Sequence, residues 1–134
     1  MKKTWAWTLS VATAVVISCA IISAQFTGQS TTQSSYVLPT LPVVKTQSLL
    51  SVGDSIGGYR MVGIPDGLGA FDNGDATFTL LMNHELGNTL GTKRAHDSVG
   101  AFVSKWTIDK KTMAVLSGSD LMQQVLQIYP ANVQ

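Results

Sequence analysis

Cysteine is nearly missing from this chain: Cys19 is the single thiol in 134 residues. A chain with one cysteine closes no internal disulfide, even in an oxidising compartment. Charge is also sparse, with Asp, Glu, Lys and Arg making up 13 % of the sequence. No basic cluster stands out, and this excludes an electrostatic nucleic-acid binder. Three catalytic patterns are missing too. There is no Gly-x-Ser-x-Gly nucleophile elbow, and no Gly-x-x-x-x-Gly-Lys phosphate loop. His84-Glu85 continues as Leu-Gly-Asn-Thr, so the second His of a His-Glu-x-x-His zinc helix is lacking. The apolar run Leu9 to Ser23 is fifteen residues, short of the roughly 20 that a membrane span needs.

What the N-terminus does contain is an export signal. Lys2 and Lys3 precede that apolar run, and Ile22-Ser23-Ala24 offers a cleavage site before Gln25. This is the layout of a secretory signal peptide over residues 1–24, predicting a periplasmic or extracellular protein. Two alternatives involve the membrane: an uncleaved N-terminal anchor, or a lipoprotein signal in which Cys19 is lipidated. Cleavage after Ala24 removes Cys19 together with Lys2 and Lys3. Seven basic residues then face eight acidic ones, a net charge of about −1 with the other termini and His neutral.

Residues 25–47 are rich in Ser, Thr and Gln, with Pro39 and Pro42, and read as a flexible linker. The folded region is expected over residues 48–134. Its punctuation is regular. Turns are expected at Ser51-Val52-Gly53-Asp54, Gly57-Gly58 and Pro65-Asp66-Gly67. Asn73-Gly74 is the strongest hairpin signal in the chain. Ala76 to Glu85 alternates, with Ala76, Phe78, Leu80, Met82 and His84 on one face and Thr77, Thr79, Leu81, Asn83 and Glu85 on the other. Phe102, Trp106 and Ile108 share a face of a second strand, followed by the polar turn Asp109-Lys110-Lys111-Thr112. Asp120 to Tyr129 reads as a short C-terminal helix, with Asp120 as N-cap and Gln123 completing a capping box. Pro130 would end it. The fold class is therefore all-β, built of antiparallel hairpins as in a sandwich, barrel or propeller. A single sheet of this size leaves Phe78/Leu80/Met82 and Phe102/Trp106 needing a covering layer.

The stretch Ile64 to Leu86 concentrates the candidate chemistry: two Gly-rich turns, four acidic side chains and one His in 23 residues. Glu85, at a strand end beside Asn83 and His84, can offer a carboxylate to a hard cation such as calcium, or to iron. Its bland alternative is a solvated carboxylate. Asp66 is either an oxygen ligand or a turn-stabilising Asp. His84 points away from Glu85 and fits a core histidine bonded to backbone. Asp72, Asn73 and Asp75 do not meet the EF-hand pattern and fit a hairpin turn. Lys93, Arg94 and His96 are a solvated loop or a phosphate clamp, in which Arg94 would supply a bidentate fork.

Val52-Gly53-Asp54, Gly58-Tyr59, Gly63-Ile64-Pro65-Asp66-Gly67-Leu68-Gly69-Ala70, Asn83-His84-Glu85 and Gly100-Ala101-Phe102-Val103-Ser104 resemble the opening region of secreted bacterial PhoX-type alkaline phosphatases and their uncharacterised exported relatives. The resemblance spans Leu49 to about Val125. It implies a partial β-propeller made of N-terminal blades, within a family that holds calcium and iron at the propeller centre and hydrolyses phosphate esters. It would make Glu85 and Asp66 metal ligands and Arg94 a catalytic phosphate contact. Two departures weigh against activity: the family's iron-bound cysteine thiolate is missing, and so are the remaining blades. The expectation is an N-terminal fragment of a metal-dependent phosphatase-like protein, inactive alone. The alternative is a non-catalytic exported β-protein with at most a structural calcium site.

Overall fold

The computed structural model of the protein describes residues 24–126. The signal-peptide expectation therefore lies outside the described residues, apart from Ala24. Among the described residues eight strands follow one another: β1 (Ala24–Thr27), β2 (Lys45–Ser48), β3 (Ser55–Ile56), β4 (Tyr59–Arg60), β5 (Pro65–Asp72), β6 (Thr77–His84), β7 (Phe102–Asp109) and β8 (Val115–Asp120). The all-β expectation holds. Among the described residues no helix is long and apolar enough to cross a membrane.

The body is a four-stranded antiparallel sheet in sequence order, β5-β6-β7-β8. Its register follows from the alternation in β6 and β7. Phe78 pairs with Ile108, Leu80 with Trp106, Met82 with Ser104 and His84 with Phe102. One face thus collects Phe78, Leu80 and Met82 with Phe102, Trp106 and Ile108, while Leu81 and Val103 lie on the other. The turns do what their residues dictate. Gly74 takes φ +79, and Asp72 Oδ1 accepts its N–H at 2.7 Å. Asp109 Oδ1 accepts from the N–H groups of Lys111 and Thr112 at 3.0 and 2.6 Å. The four residues of the Asp72–Asp75 turn therefore serve the hairpin: Asp75 Oδ1 accepts the Thr77 N–H, and Lys110 Nζ donates to Asp72 Oδ1 at 2.5 Å.

The covering layer comes from inside the chain. Leu49, Leu50, Ile56, Tyr59 and Met61 pack with Phe78, Leu80 and Met82 around buried Trp106, Ile108 and Val115. The face left open in the sequence reading is closed by this segment, which crosses β6, β7 and β8. Each fully buried large side chain here contributes about 2 kcal/mol. Tyr59 meets Trp106 edge-to-face, with ring centroids 5.2 Å apart. The covering hairpin β3–β4 also lies against β8. The opposite edge, β5, is exposed along all eight residues.

Three local expectations change. Pro65-Asp66-Gly67 is not a turn but the start of β5, with a register shift between Pro65 and Leu68. Proline is tolerated there because an edge strand does not need its N–H, and the extra residues are taken up as a bulge. Asp120 ends β8, and residues 121–126 form no helix; the rest of the expected helix, 127–129, lies outside the described residues. The reason is competition for the Asp120 carboxylate, which is engaged elsewhere and cannot cap free N–H groups. Residues 25–47 contain most of β1 and most of β2, which pair in parallel. They touch the body through Ser30 Oγ, which accepts the Val115 N–H at 2.8 Å, and through Thr31 and Ser51, whose hydroxyls lie 3.2 Å apart.

Candidate functional site

The end of β6 is where the candidate residues converge, and alternation sends them apart. His84 is 1 % exposed, while Glu85 is exposed. The backbone N–H of Glu85 donates to Ile64 O at 2.9 Å. Ile64 itself takes φ +29, a conformation that a β-branched residue adopts at a cost of about 2 kcal/mol. This strained turn lays main-chain carbonyls over His84. The ring Nδ1 is 3.1 Å from Val62 O and 3.4 Å from Gly63 O. Two carbonyls on one nitrogen require Nδ1 to carry the proton. Nε2 then accepts from Ser104 Oγ at 2.8 Å, and Ser104 Oγ accepts from Trp106 Nε1 at 2.8 Å. Every polar atom of this thread is satisfied with the imidazole neutral. Burial holds the His84 pKa below its ordinary value, with a smaller push from nearby Arg94, against the carbonyl contacts that raise it.

The Ser104–His84 distance is that of a nucleophile and its base. Ser104 is nevertheless 0 % exposed, its oxygen is already engaged by Trp106, and His84 is oriented by a carbonyl rather than a carboxylate. No substrate atom can reach the hydroxyl, so the pair is a strut of the core.

Phe102 stacks on His84 with ring centroids 4.3 Å apart and planes 5° from parallel. The guanidinium carbon of Arg94 lies 3.7 Å from the same ring's centroid. Two groups this close occupy opposite faces, so Phe102 is held between imidazole and guanidinium. Arg94 also faces Asp120, Nη1 to Oδ1 3.6 Å, and the two side chains are only 9 % and 10 % exposed. Asp120 collects more partners: Tyr59 donates to Oδ1 at 2.6 Å, and the Ala95 N–H donates to Oδ2 at 2.8 Å. One carboxylate thereby joins the covering hairpin, the 87–100 loop and the sheet. Burial and the bond to Asp120 push the Tyr59 hydroxyl far above its ordinary pKa.

The residues expected to act together are dispersed. Arg94 turns inward, with Nε buried and without a partner among the described residues. Lys93 turns outward to Asp97, 2.6 Å away, and this ion pair lowers the Asp97 pKa. His96 Nδ1 is also buried without a partner among the described residues. Glu85 rims a shallow hollow of about 340 Å³ with Asn83, Phe102 and Met122. Asp66 lines a different, larger cleft of about 700 Å³. Among the described residues no three His, Cys, Asp or Glu side chains come together as a metal-binding group. The residue that sequence reasoning missed is Asp120, which looked like a helix cap. Its partners lie 25 and 61 positions away, and no local pattern marks such a hub.

No protein-family model matches this chain. No curated protein and no solved structure matches it either.

Proposed function

We propose that this chain supplies a propeller blade to an exported, PhoX-type phosphatase-like protein and does not turn over phosphate esters by itself. The observation that carries this reading is the β5-β6-β7-β8 sheet. Four antiparallel strands in sequence order form the repeating unit of a β-propeller, and among the described residues the outer edge of β5 has no partner strand. The motif resemblance over residues 49–125 supplies the family, and the residue 1–24 pattern supplies the exported location.

Glu85 and Asp66 remain the carboxylates this reading offers to calcium or iron. They line separate hollows, so each site would hold one carboxylate from this chain, whereas calcium takes 6–8 oxygen ligands. These residues do not make a complete metal site, and no catalytic step is derived through one. Arg94 is closed in by Phe102 and Asp120, so contact with a phosphate ester would require it to leave both. A second reading, a non-catalytic exported β-module with at most a structural calcium site, is favoured by that same dispersion.

Calcium calorimetry on the full chain and on Glu85→Ala tests the metal assignment, with a chromogenic phosphate ester assayed in parallel in calcium and iron. The expected result is weak calcium binding that disappears in the variant, with no hydrolysis. Metal-dependent turnover by the wild-type chain would overturn the blade reading. Calcium binding that survives Glu85→Ala would remove Glu85 from the site.

A further inference from the structure

A cleft opens where the covering layer stops short. Residues 49–61 reach across β6, β7 and β8 but not the open end of β5, and Leu68 stays 63 % exposed. The arm residues 33–37 stand opposite, and between them opens a space of about 700 Å³, a size that fits drug-sized ligands. Its accessible apolar lining includes Val37, Leu50, Val52, Leu68 and Met82. Met82 is half-buried there, and its flexible thioether adapts to irregular apolar shapes.

The charge of the lining is one-sided. Asp66 is the single charged residue among the lining side chains, and no Lys or Arg borders the cleft. The Asp66 carboxylate has no hydrogen bond or ion pair among the described residues. Tyr36 borders the same cleft and is 93 % exposed, so its ring face is open to a cation. An anionic ligand would meet an unscreened carboxylate. A neutral ligand would leave both polar features unused.

We propose that this cleft binds a small amphiphilic cation: an apolar body seated on Leu50, Leu68 and Met82, with one ammonium group between Asp66 and Tyr36. This inference does not rest on the phosphatase reading. It competes with that reading for Asp66 alone.

The test is calorimetry of the full chain with dodecyltrimethylammonium and with dodecyl sulfate, both below their micelle-forming concentrations. The cation should bind about fivefold more tightly than the anion, as a partly exposed ion pair allows. Asp66→Asn should abolish that preference. Leu68→Asp, at an exposed position, should weaken dodecyl sulfate binding. Equal affinity for the two probes in the wild-type chain would overturn the proposal, as would a preference that survives Asp66→Asn. So would displacement of the cation by calcium chloride beyond the effect of sodium chloride at equal ionic strength, because it would give Asp66 to a metal. Sedimentation as a dimer that Leu68→Asp makes monomeric would assign the cleft to a second copy of the chain and also overturn it.

Discussion

The sheet β5–β8 with its cover and the arm of residues 24–48 are both built from short strands, yet they are held by different forces. In the sheet, Trp106 and Ile108 are essentially inaccessible, and Met61 and Val115 nearly so. The hydrophobic effect does the holding there, over many contacts at once. The arm buries little: Tyr36, Val37, Leu38, Leu41 and Val43 are all more than half exposed. Its order depends on the parallel β1–β2 pairing and on a few hydroxyl contacts such as Ser30 to Val115. Hydrogen bonds of that kind net about 1 kcal/mol each. The comparison teaches that strand content alone does not predict stability; burial of the strand's faces does.

Gly118 offers the strongest way to break the sheet side of the comparison. It sits opposite Trp106 in the register, and a Cβ there would lie 2.4 Å from the Trp106 ring and 2.5 Å from the Tyr59 ring. Neither ring can retreat without disturbing the core. Gly118→Ala is expected to destabilise the chain by about 3 kcal/mol, the upper range for overpacking, as measured by urea denaturation. A change under about 0.5 kcal/mol, the scale of ordinary surface substitutions, would show that the core is loose.

His84 supplies a second probe. Its pKa is depressed in the folded protein, so the unfolded chain binds a proton first as pH falls. The stability it contributes is fully present above its ordinary value of about 6.5 and is lost as pH falls from there towards the depressed folded value. Melting temperature should therefore decline across that window. In His84→Gln, which has no titrating ring, the decline should be flat until the carboxylates begin to protonate. Asp72, Asp75 and Asp109 follow at lower pH. Each is held below the usual carboxylate range, by the bond from Lys110, the Thr77 hydroxyl and the Thr112 hydroxyl respectively. Their contribution is present above about pH 4 and is lost as pH falls through the folded values. An unchanged slope above pH 5 in His84→Gln would remove His84 as its origin.

The smallest effect is expected in the arm. Ser30→Ala removes the acceptor for the Val115 N–H and should cost about 1 kcal/mol or less, while amide exchange in β6 and β7 stays unchanged. A loss comparable to that of Gly118→Ala would make the arm an integral part of the core and erase the distinction.

Much of the sheet was legible in advance because its signals are local. The period-two alternation of β6 and β7, the Asn73-Gly74 turn and the polar Asp109–Thr112 turn each specify a backbone through nearest neighbours. Pro65-Asp66-Gly67 misled for a related reason. Its residues carry turn propensity, but pairing of β5 with β6 outweighed it and turned the surplus into a bulge. The candidate site was legible only in part. The opposite fates of His84 and Glu85 follow from alternation, whereas the separation of Glu85 from Asp66 into different hollows does not.

The sequence alone marks β6 and β7, their inward faces and the turns at Asn73-Gly74 and Asp109–Thr112, because side-chain periodicity and turn chemistry act over two to five residues. It does not mark β1 and β2, which lie in a stretch that reads as a flexible linker. Only the tertiary structure decided that residues 49–61 cover the sheet, that Phe102 separates His84 from Arg94, and that Asp120 ties three elements together. Those outcomes depend on which distant groups compete best for one buried carboxylate and one apolar face. That competition is settled by desolvation and packing in three dimensions, and it leaves no periodic trace along the chain.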